Sequence, residues 1–300
     1  MGGGSYSITN STDRTLKDYS TLTMDSFGVR HLKLKSKDEI FTQKSINNAM
    51  NPYGIIVRES RDSVEHPNSL AIILALDVTG SMGTVPHHLI TKGLPTLMGE
   101  ILEKGIKDPQ VLFMGIGDHE CDQSPLQVAQ FESSDELLDK WLKDVYLEGG
   151  GGANSGESYS LAWYLAGYHT TIDCFEKRGE KGFLFTIGDE PVLKKIPKNS
   201  IKEIMGDGQY TDYTHDELLK KAMEKYHVYH LHIKETGAGS RKETIDGWKQ
   251  LMQDHLIEVD NHNELAATIA NIIIKNSSVK QEQKVDIKID IKIEKPEIIL

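Results

Sequence analysis

The segment Leu70-Ala-Ile-Ile-Leu-Ala-Leu-Asp77-Val-Thr79-Gly-Ser81-Met-Gly83 joins an unbroken apolar run to a short polar turn. A strand that is covered on both faces has such a composition, whereas a strand with one wet face alternates apolar and polar residues. The segment therefore predicts a buried strand whose carboxyl end delivers Asp77, Thr79 and Ser81 into a loop.

From Asn68 onward, strand-like runs alternate with helix-like segments. The predicted strands are Leu70–Leu76, Gln110–Gly117, Leu126–Phe131 as a hairpin partner, Phe183–Ile187, His227–Ile233 and Leu256–Val259. Six helices are predicted, and the first carries Ile90 to Leu102 with a kink at Gly93–Pro95. Two more cover residues 157–172 and 242–253. The other three begin at capping pairs: Ser133 with Glu136, Thr214 with Glu217, and Asn261 with Glu264. This order predicts an α/β fold with a doubly wound, mostly parallel sheet flanked by helices.

Three regions differ in composition. Residues 1–66 are polar, with only Gly54–Val57 strand-like, and predict an arm that packs on the main domain or a partner; the alternative is a partly disordered tail. Residues 67–278 form the predicted α/β domain. In residues 279–300, Val285 and the isoleucines at 287, 289, 291 and 293 alternate with charged residues, which predicts an amphipathic strand. That strand either closes an edge of its own sheet or adds to a partner or a second copy.

The composition excludes several classes of protein. Among 300 residues, 45 Asp and Glu against 34 Lys and Arg give a net charge of −11, which argues against nucleic-acid binding. The longest apolar run, Leu70–Leu76, is far below the ~20 residues of a membrane span. Residues 1–15 carry no apolar signal region, and two cysteines cannot form a disulfide framework. We therefore expect a cytoplasmic protein without a membrane partner.

Oxygen-bearing side chains follow two of the predicted strands and the glycine run. Asp77, Thr79 and Ser81 follow the first strand, Asp189 follows Phe183–Ile187, and Asn154 and Ser155 follow Gly149–Gly152. Ligands of doubly wound sheets bind beyond the carboxyl ends of the strands, so we expect these loops to meet. Carboxylates and hydroxyls are the hard donors that Mg²⁺ prefers. The alternative is a strand-end turn with capping residues and no metal.

This pattern resembles the von Willebrand factor type A family over about residues 68–275. Asp77-x-Thr79-x-Ser81 matches the first motif of that family's metal-ion-dependent adhesion site, and Asp189 matches the aspartate of its third loop. The resemblance implies a bound Mg²⁺, with Mn²⁺ or Ca²⁺ as alternatives. The second loop departs from the usual Gly-Gly-Thr and is more similar to the Gly-Gly-Gly-Asp-x-Pro-Glu loop of some bacterial and phage-type members. Asn154 and Ser155 are the candidates to replace the threonine.

Further polar residues are expected around this site. They are Asp118, His119, Glu120, Glu157 and Glu190, which either form its rim or supply partner contacts. For the turn after the second strand, the alternative is a solvated acidic loop. His230 and His232 share a face of one strand, but no third ligand accompanies them, so we interpret them as buried histidines rather than a zinc site.

The resemblance implies a protein-binding module without catalytic residues, in which a partner's Asp or Glu completes the coordination of the metal. By analogy with intracellular members of the family, the partner is expected to be a protein of an assembly, such as an AAA+ ATPase. One alternative is a metal-assisted hydrolase that uses Asp77, Asp118 and Asp189, with His119 or Glu157 as base. The other is a structural component that assembles through its arm and its carboxyl-terminal strand.

Overall fold

A computed structural model of the chain describes residues 4–24, 30–149 and 156–277. Within them the strands are β1 (Ser20–Met24), β2 (Arg30–Leu34), β3 (Arg58–Ser60), β4 (Leu70–Asp77), β5 (Pro109–Ile116), β6 (Leu126–Val128), β7 (Thr170–Ile172), β8 (Gly182–Gly188), β9 (Lys195–Ile196), β10 (Tyr213–Thr214), β11 (Tyr226–Ile233) and β12 (Leu256–Val259). The helices are α1 (Ile8–Asp18), α2 (Lys37–Ile40), α3 (Val85–His88), α4 (Leu94–Glu103), α5 (Asp135–Lys143), α6 (Ser160–Tyr168), α7 (Asp173–Arg178), α8 (Lys198–Met205), α9 (His215–Met223), α10 (Lys242–Met252) and α11 (Leu265–Asn276).

Six strands form the central sheet in the order β12-β11-β8-β4-β5-β6. All neighbours pair in parallel except β5 and β6, which are antiparallel. Helices flank the sheet: α4 packs on α11 and α1, while α6 packs on α9. The predicted doubly wound α/β fold is therefore confirmed. None of the helices in the described ranges is long and apolar enough to cross a membrane.

The first strand lies in the middle of this sheet. Every residue of β4 is buried, because β5 and β8 pair with its two edges and helices cover its faces. Asp77 pairs in register with Ile116, and Leu76 pairs with Ile187. The carboxyl ends of β4, β5 and β8 therefore lie side by side, and this edge is called the carboxyl edge below.

Several local predictions were wrong in detail. Gly54–Val57 is not a strand, because Gly54 has a φ of 80° and donates its amide to the Met205 carbonyl in a turn; the strand is β3, which pairs with β7. Ser134 rather than Ser133 caps α5, accepting from the Leu137 amide, since Glu132 is still bridged to Val111 at the sheet edge.

Other boundaries also moved. The predicted helix 157–172 holds only α6, after which the chain extends into β7. Leu89–Gly93 is a π-helical turn that continues into α4, at the place where a kink was predicted. Asn261 caps the short 3₁₀ turn His262–Glu264 that leads into α11.

The amino-terminal region packs on the rest of the chain. Arg14 on α1 contacts Asp135 at 2.7 Å, and Ser7 donates its amide to the same carboxylate. These contacts join α1 to the start of α5. The predicted carboxyl-terminal strand, residues 279–300, lies outside the described residues.

Candidate functional site

Asp77 is the buried centre of the carboxyl edge. Its Oδ1 accepts from the Thr79 amide at 2.9 Å and from the Thr79 hydroxyl at 2.6 Å. Its Oδ2 accepts from the Tyr159 hydroxyl at 2.7 Å. Both carboxylate oxygens therefore have protein donors, and the carboxylate in turn fixes the direction of the Thr79 hydroxyl.

A row of oxygen atoms runs from this carboxylate across to β8. Thr79 Oγ1 lies 3.2 Å from Ser81 Oγ, and Ser81 Oγ donates to Asp189 Oδ1 at 2.9 Å. Asp189 is fully buried, and its Oδ2 has no hydrogen-bond partner. A buried carboxylate oxygen without a partner is costly, so this atom marks a place where a ligand would be stabilised.

The row is accessible at one point. Asp77, Thr79 and Asp189 are buried, but Gly80 and Ser81 are exposed at the turn that follows. The sequence prediction that Asp77, Thr79, Ser81 and Asp189 come together is therefore what the fold produces. The other two predicted ligands, Asn154 and Ser155, lie outside the described residues.

Tyr159 is a member of the site that the sequence analysis missed. It lies one residue before α6, is fully buried, and crosses to Asp77 and β8. Gly188 allows the crossing, because a Cβ there would stand 1.9 Å from the Tyr159 hydroxyl. A buried tyrosine hydroxyl normally finds a partner, so a tyrosine in an otherwise apolar helical segment was a usable signal.

An aromatic wall supports Tyr159 from behind. Its ring makes edge contacts with His230 and Trp248, and those two rings stack on each other. Trp248 also donates its Nε1 proton to the Glu190 carbonyl at 3.0 Å. His230 and His232 are fully buried, which confirms that interpretation of the two histidines.

Glu190, which was predicted to lie on the rim, forms an ion pair with Arg241. Arg241 Nη2 donates to both of its carboxylate oxygens, at 2.9 and 3.1 Å. Burial raises the pKa of Glu190, while the charge of Arg241 opposes this. The residue fixes the loop after β8 and faces α10.

The turn after β5 holds three residues of the predicted rim, Asp118, His119 and Glu120. Asp118 is buried, and its Oδ1 accepts from the Glu120 amide at 2.8 Å while its Oδ2 has no partner. His119 donates its amide to Ser158 Oγ at 2.9 Å, and its ring Nδ1 lies 2.7 Å from the same oxygen. Burial lowers the pKa of His119, which keeps the ring neutral. Glu120 is exposed.

Glu157 brings another acid close to this edge. It is buried, and its Oε2 has no hydrogen-bond partner. Burial raises the pKa of Glu157, and the charges of Asp77, Asp122 and Asp118 raise it further. Burial likewise raises the pKa of Asp77; a hydrogen bond from Thr79 opposes this, and the charge of Asp189 adds to it. The carboxyl edge therefore gathers several acidic groups, and a bound cation would reduce the repulsion between their charges.

The described ranges contain no group of three or more His, Cys, Asp or Glu side chains placed to hold a metal ion. The predicted set differs in composition, because its described members are two carboxylates and two hydroxyls.

No family model and no curated protein matches this sequence. Among solved structures, the fold is similar to the pilus adhesin SpaC of Lactobacillus rhamnosus GG (14% identity, TM-score 0.45, 73% of this chain and 32% of that one). It is also similar to an aerotolerance-related membrane protein of Bacteroides fragilis (14%, 0.39, 69% and 98%) and to proximal thread matrix protein 1 of the mussel byssus (13%, 0.41, 69% and 45%). The chain spans about a third of the adhesin's length. Likenesses at this level carry no argument about function, and the family resemblance stays a prediction from the motifs.

Proposed function

We propose that this chain is a Mg²⁺-dependent protein-binding module of the von Willebrand factor type A kind. The observation that carries the proposal is the row of oxygens Asp77–Thr79–Ser81–Asp189, which ends in the buried, unpartnered Oδ2 of Asp189. Two hydroxyls and two carboxylates from separate strand ends are a donor set suited to a hard divalent cation.

The hydrogen bonds indicate a different role for Asp77 than for the other three residues. Both oxygens of Asp77 are engaged by Thr79 and Tyr159, so its part is to orient the Thr79 hydroxyl and to supply negative charge. Thr79, Ser81 and Asp189 would hold the ion directly. Mg²⁺ takes six oxygens and usually keeps waters, so water and the second loop, with Asn154 or Ser155, would supply the remainder.

The exposed turn explains why such an ion would serve recognition. Ser81 and Gly80 lie at the surface, so an ion beside them would be open to a second molecule. When bound, Mg²⁺ supplies an electrophilic centre that a carboxylate can complete. A partner protein with an exposed Asp or Glu fits this chemistry, and an AAA+ ATPase is the class of partner that we propose.

Direct binding of Mn²⁺, followed as the loss of its free-ion EPR signal, tests the metal site. We expect one Mn²⁺ per chain, displaced by Mg²⁺, with binding weakened at least tenfold in Ser81→Ala and Asp189→Asn. Asp212→Asn is the matched control, because its carboxylate pairs with Lys195 on the surface and its loss removes the same charge elsewhere. Equal binding by all four proteins would refute the site.

The open position is tested separately, by water-proton relaxation of the Mn²⁺ complex. Added acetate, standing in for the partner's carboxylate, should displace exchangeable water and lower the relaxivity. The hydrolase alternative predicts turnover of a phosphoester or peptide that His119→Ala abolishes, whereas a binding module keeps acetate binding in that variant.

A further inference from the structure

A cleft of about 720 Å³ is lined by the loop after β8, the start of α9 and one side of α10. Val192 and Lys194 line it from the loop. Thr244, Trp248 and Leu251, which share a face of α10, line it from that helix. Its volume lies within the range of about 300–1,000 Å³ that is usual for ligand sites. This space is called the α9–α10 cleft below.

Two buried polar atoms of the cleft lack a hydrogen-bond partner in the part of the chain that the structure describes. Thr244 is 2% exposed, and its hydroxyl makes no hydrogen bond. His215 Nδ1 is also buried and makes no hydrogen bond, although the Asp216 carboxylate lies 3.2 Å away. Most buried polar side-chain atoms in proteins have a partner, because leaving them unpaired costs free energy. A ligand with hydrogen-bonding groups would therefore be stabilised in this cleft.

The loop after β8 has an extended backbone with an edge beside α9. Glu157 forms a parallel bridge to Val192, donating to the carbonyl before it at 2.8 Å and accepting from the amide after it at 3.0 Å. The amide and carbonyl of Val192 itself therefore point to the other edge, and no described residue bonds them. On that other edge the Lys194 carbonyl accepts from the His215 amide at 3.0 Å. The cleft thus has a short strand edge with a free donor and a free acceptor.

The cleft carries more negative than positive charge. Asp216 and Glu243 line it from the first turns of α9 and α10, and neither forms an ion pair with a lysine or arginine of the described ranges. His215 does not offset them, because burial lowers its pKa and keeps the ring neutral. Among the described residues, Lys194 alone adds a positive charge to the lining. Together with the net charge of −11, this distribution favours a cationic ligand.

We infer that the α9–α10 cleft binds an extended peptide that carries a basic side chain, lysine or arginine. The peptide backbone would pair with the amide and carbonyl of Val192, as when a strand adds to the edge of a sheet. Its basic side chain would lie near Asp216 and Glu243, and its polar groups would reach the Thr244 hydroxyl. This inference does not depend on the proposed metal site, because none of these groups belongs to the row of oxygens.

Retention of peptides by the immobilised full chain tests the charge of the ligand. Three pools of acetylated, amidated hexapeptides carry arginine, leucine or glutamate at the third position and a random mixture elsewhere, and mass spectrometry measures what is retained. We expect the arginine pool to be retained about tenfold more than the other two. The measurement is made in EDTA, so failure of the metal site would not affect it. Equal retention of the three pools, or a preference for glutamate, would overturn the inference.

Variants show whether that retention occurs in the cleft. Asp216→Asn with Glu243→Gln should lower retention of the arginine pool about tenfold. Asp246→Asn with Asp254→Asn removes the same charge from exposed positions outside the cleft and is the matched control. Gly247→Leu should also abolish retention, because a Cβ there meets nothing within 4 Å and the side chain would fill the cleft without a clash. Unchanged retention in the double carboxylate variant, or in a folded Gly247→Leu variant, would overturn the inference.

Amide hydrogen exchange tests the backbone pairing. The amide of Val192 should exchange about tenfold more slowly when the most strongly retained arginine peptide saturates the chain, since an exchange-competent amide would then be hydrogen-bonded. Free L-arginine offers the same side chain without an extended backbone and should leave this exchange unchanged. Peptide binding that does not slow the exchange of Val192, or equal slowing by free arginine, would contradict the addition of a strand.

Discussion

Tyr159, the residue before α6, binds the carboxylate of Asp77 at the carboxyl edge. Its hydroxyl donates to Asp77 Oδ2, and burial together with the charge of Asp77 raises the pKa of Tyr159, so it stays a donor. Thr79 occupies the other oxygen of Asp77. The carboxylate is thus oriented by two donors that come from different parts of the sequence.

Tyr159→Phe should destabilise the protein by about 2 kcal/mol, because a hydrogen bond to a charged, buried acceptor is lost. Tyr226→Phe is the control: that buried hydroxyl bonds the neutral Thr170 hydroxyl at 2.8 Å, and its loss should cost about 1 kcal/mol or less. Urea unfolding of both variants at pH 9 measures the difference, because burial raises the pKa of Asp77 to about 7 and the carboxylate is charged only above that value. Equal costs would show that Tyr159 does not support a charged Asp77.

Gly188→Ala should be strongly destabilising, by about 3 kcal/mol or more, because its Cβ would overlap the Tyr159 ring and hydroxyl. Gly237→Ala serves as control, since nothing lies within 4 Å of a Cβ there. Thermal unfolding should separate the two by many degrees. A Gly188→Ala variant of unchanged stability would mean that Tyr159 does not cross to Asp77 in solution.

At the scale of elements, a group of ion pairs fastens the amino-terminal arm to the α/β domain. β3 pairs with β7, and the buried Asp173 at the start of α7 accepts from Arg61 at 2.8 Å, Lys177 at 2.6 Å and the Asp62 amide at 2.8 Å. Arg178 closes the group by contacting Asp62. Asp173 is therefore the shared acceptor that joins strand β3 to helix α7.

Asp173→Asn should reduce stability by about 2 kcal/mol at pH 7. Burial would raise the pKa of Asp173, but the hydrogen bonds from Lys177, Arg61 and Asp62 outweigh it and lower the pKa from 3.8 to about 2. A carboxyl group whose pKa is lower in the folded state than in the unfolded state stabilises the fold at pH values above its unfolded pKa. This stabilisation is lost as the pH falls through the folded pKa. The difference between the two proteins should thus be constant above about pH 5 and fall by about half at pH 3.

Urea unfolding of both proteins between pH 7 and pH 3 measures this dependence. Glu176→Gln is the control, because Glu176 contacts the same Arg61 but is exposed, so its removal should cost less than about 1 kcal/mol. A difference between wild type and Asp173→Asn that does not change with pH would contradict the account of this joint.

At the scale of the whole molecule, the features that can be predicted from the sequence are those that depend on residues within a single segment. The apolar run of β4 and the capping box of Thr214 and Glu217 both appear as expected, because each depends on neighbouring residues alone. The meeting of Asp77, Thr79, Ser81 and Asp189 followed from the rule that parallel strands end at one edge.

What the sequence did not predict depends on contacts between distant segments. Tyr159 reaches Asp77 across 82 positions, and no local pattern records that bond. β3 forms because β7 pairs with it. The strand that was predicted upstream, at Gly54–Val57, is absent because the chain turns at Gly54. The β1–β2 hairpin was missed although Leu22 and Met24, and Leu32 and Leu34, alternate with polar residues, because two runs of five residues are too short to stand out in a polar arm.

Thermal unfolding in EDTA and then in Mg²⁺ tests the central claim, a metal site at the carboxyl edge, most directly. With Mg²⁺ at 100 times its dissociation constant, the native state should gain about 2.7 kcal/mol and the midpoint a few degrees. The gain should persist in Asp212→Asn and vanish in Ser81→Ala and Asp189→Asn. Midpoints that do not move with Mg²⁺, Mn²⁺ or Ca²⁺, or that move equally in all four proteins, would contradict it.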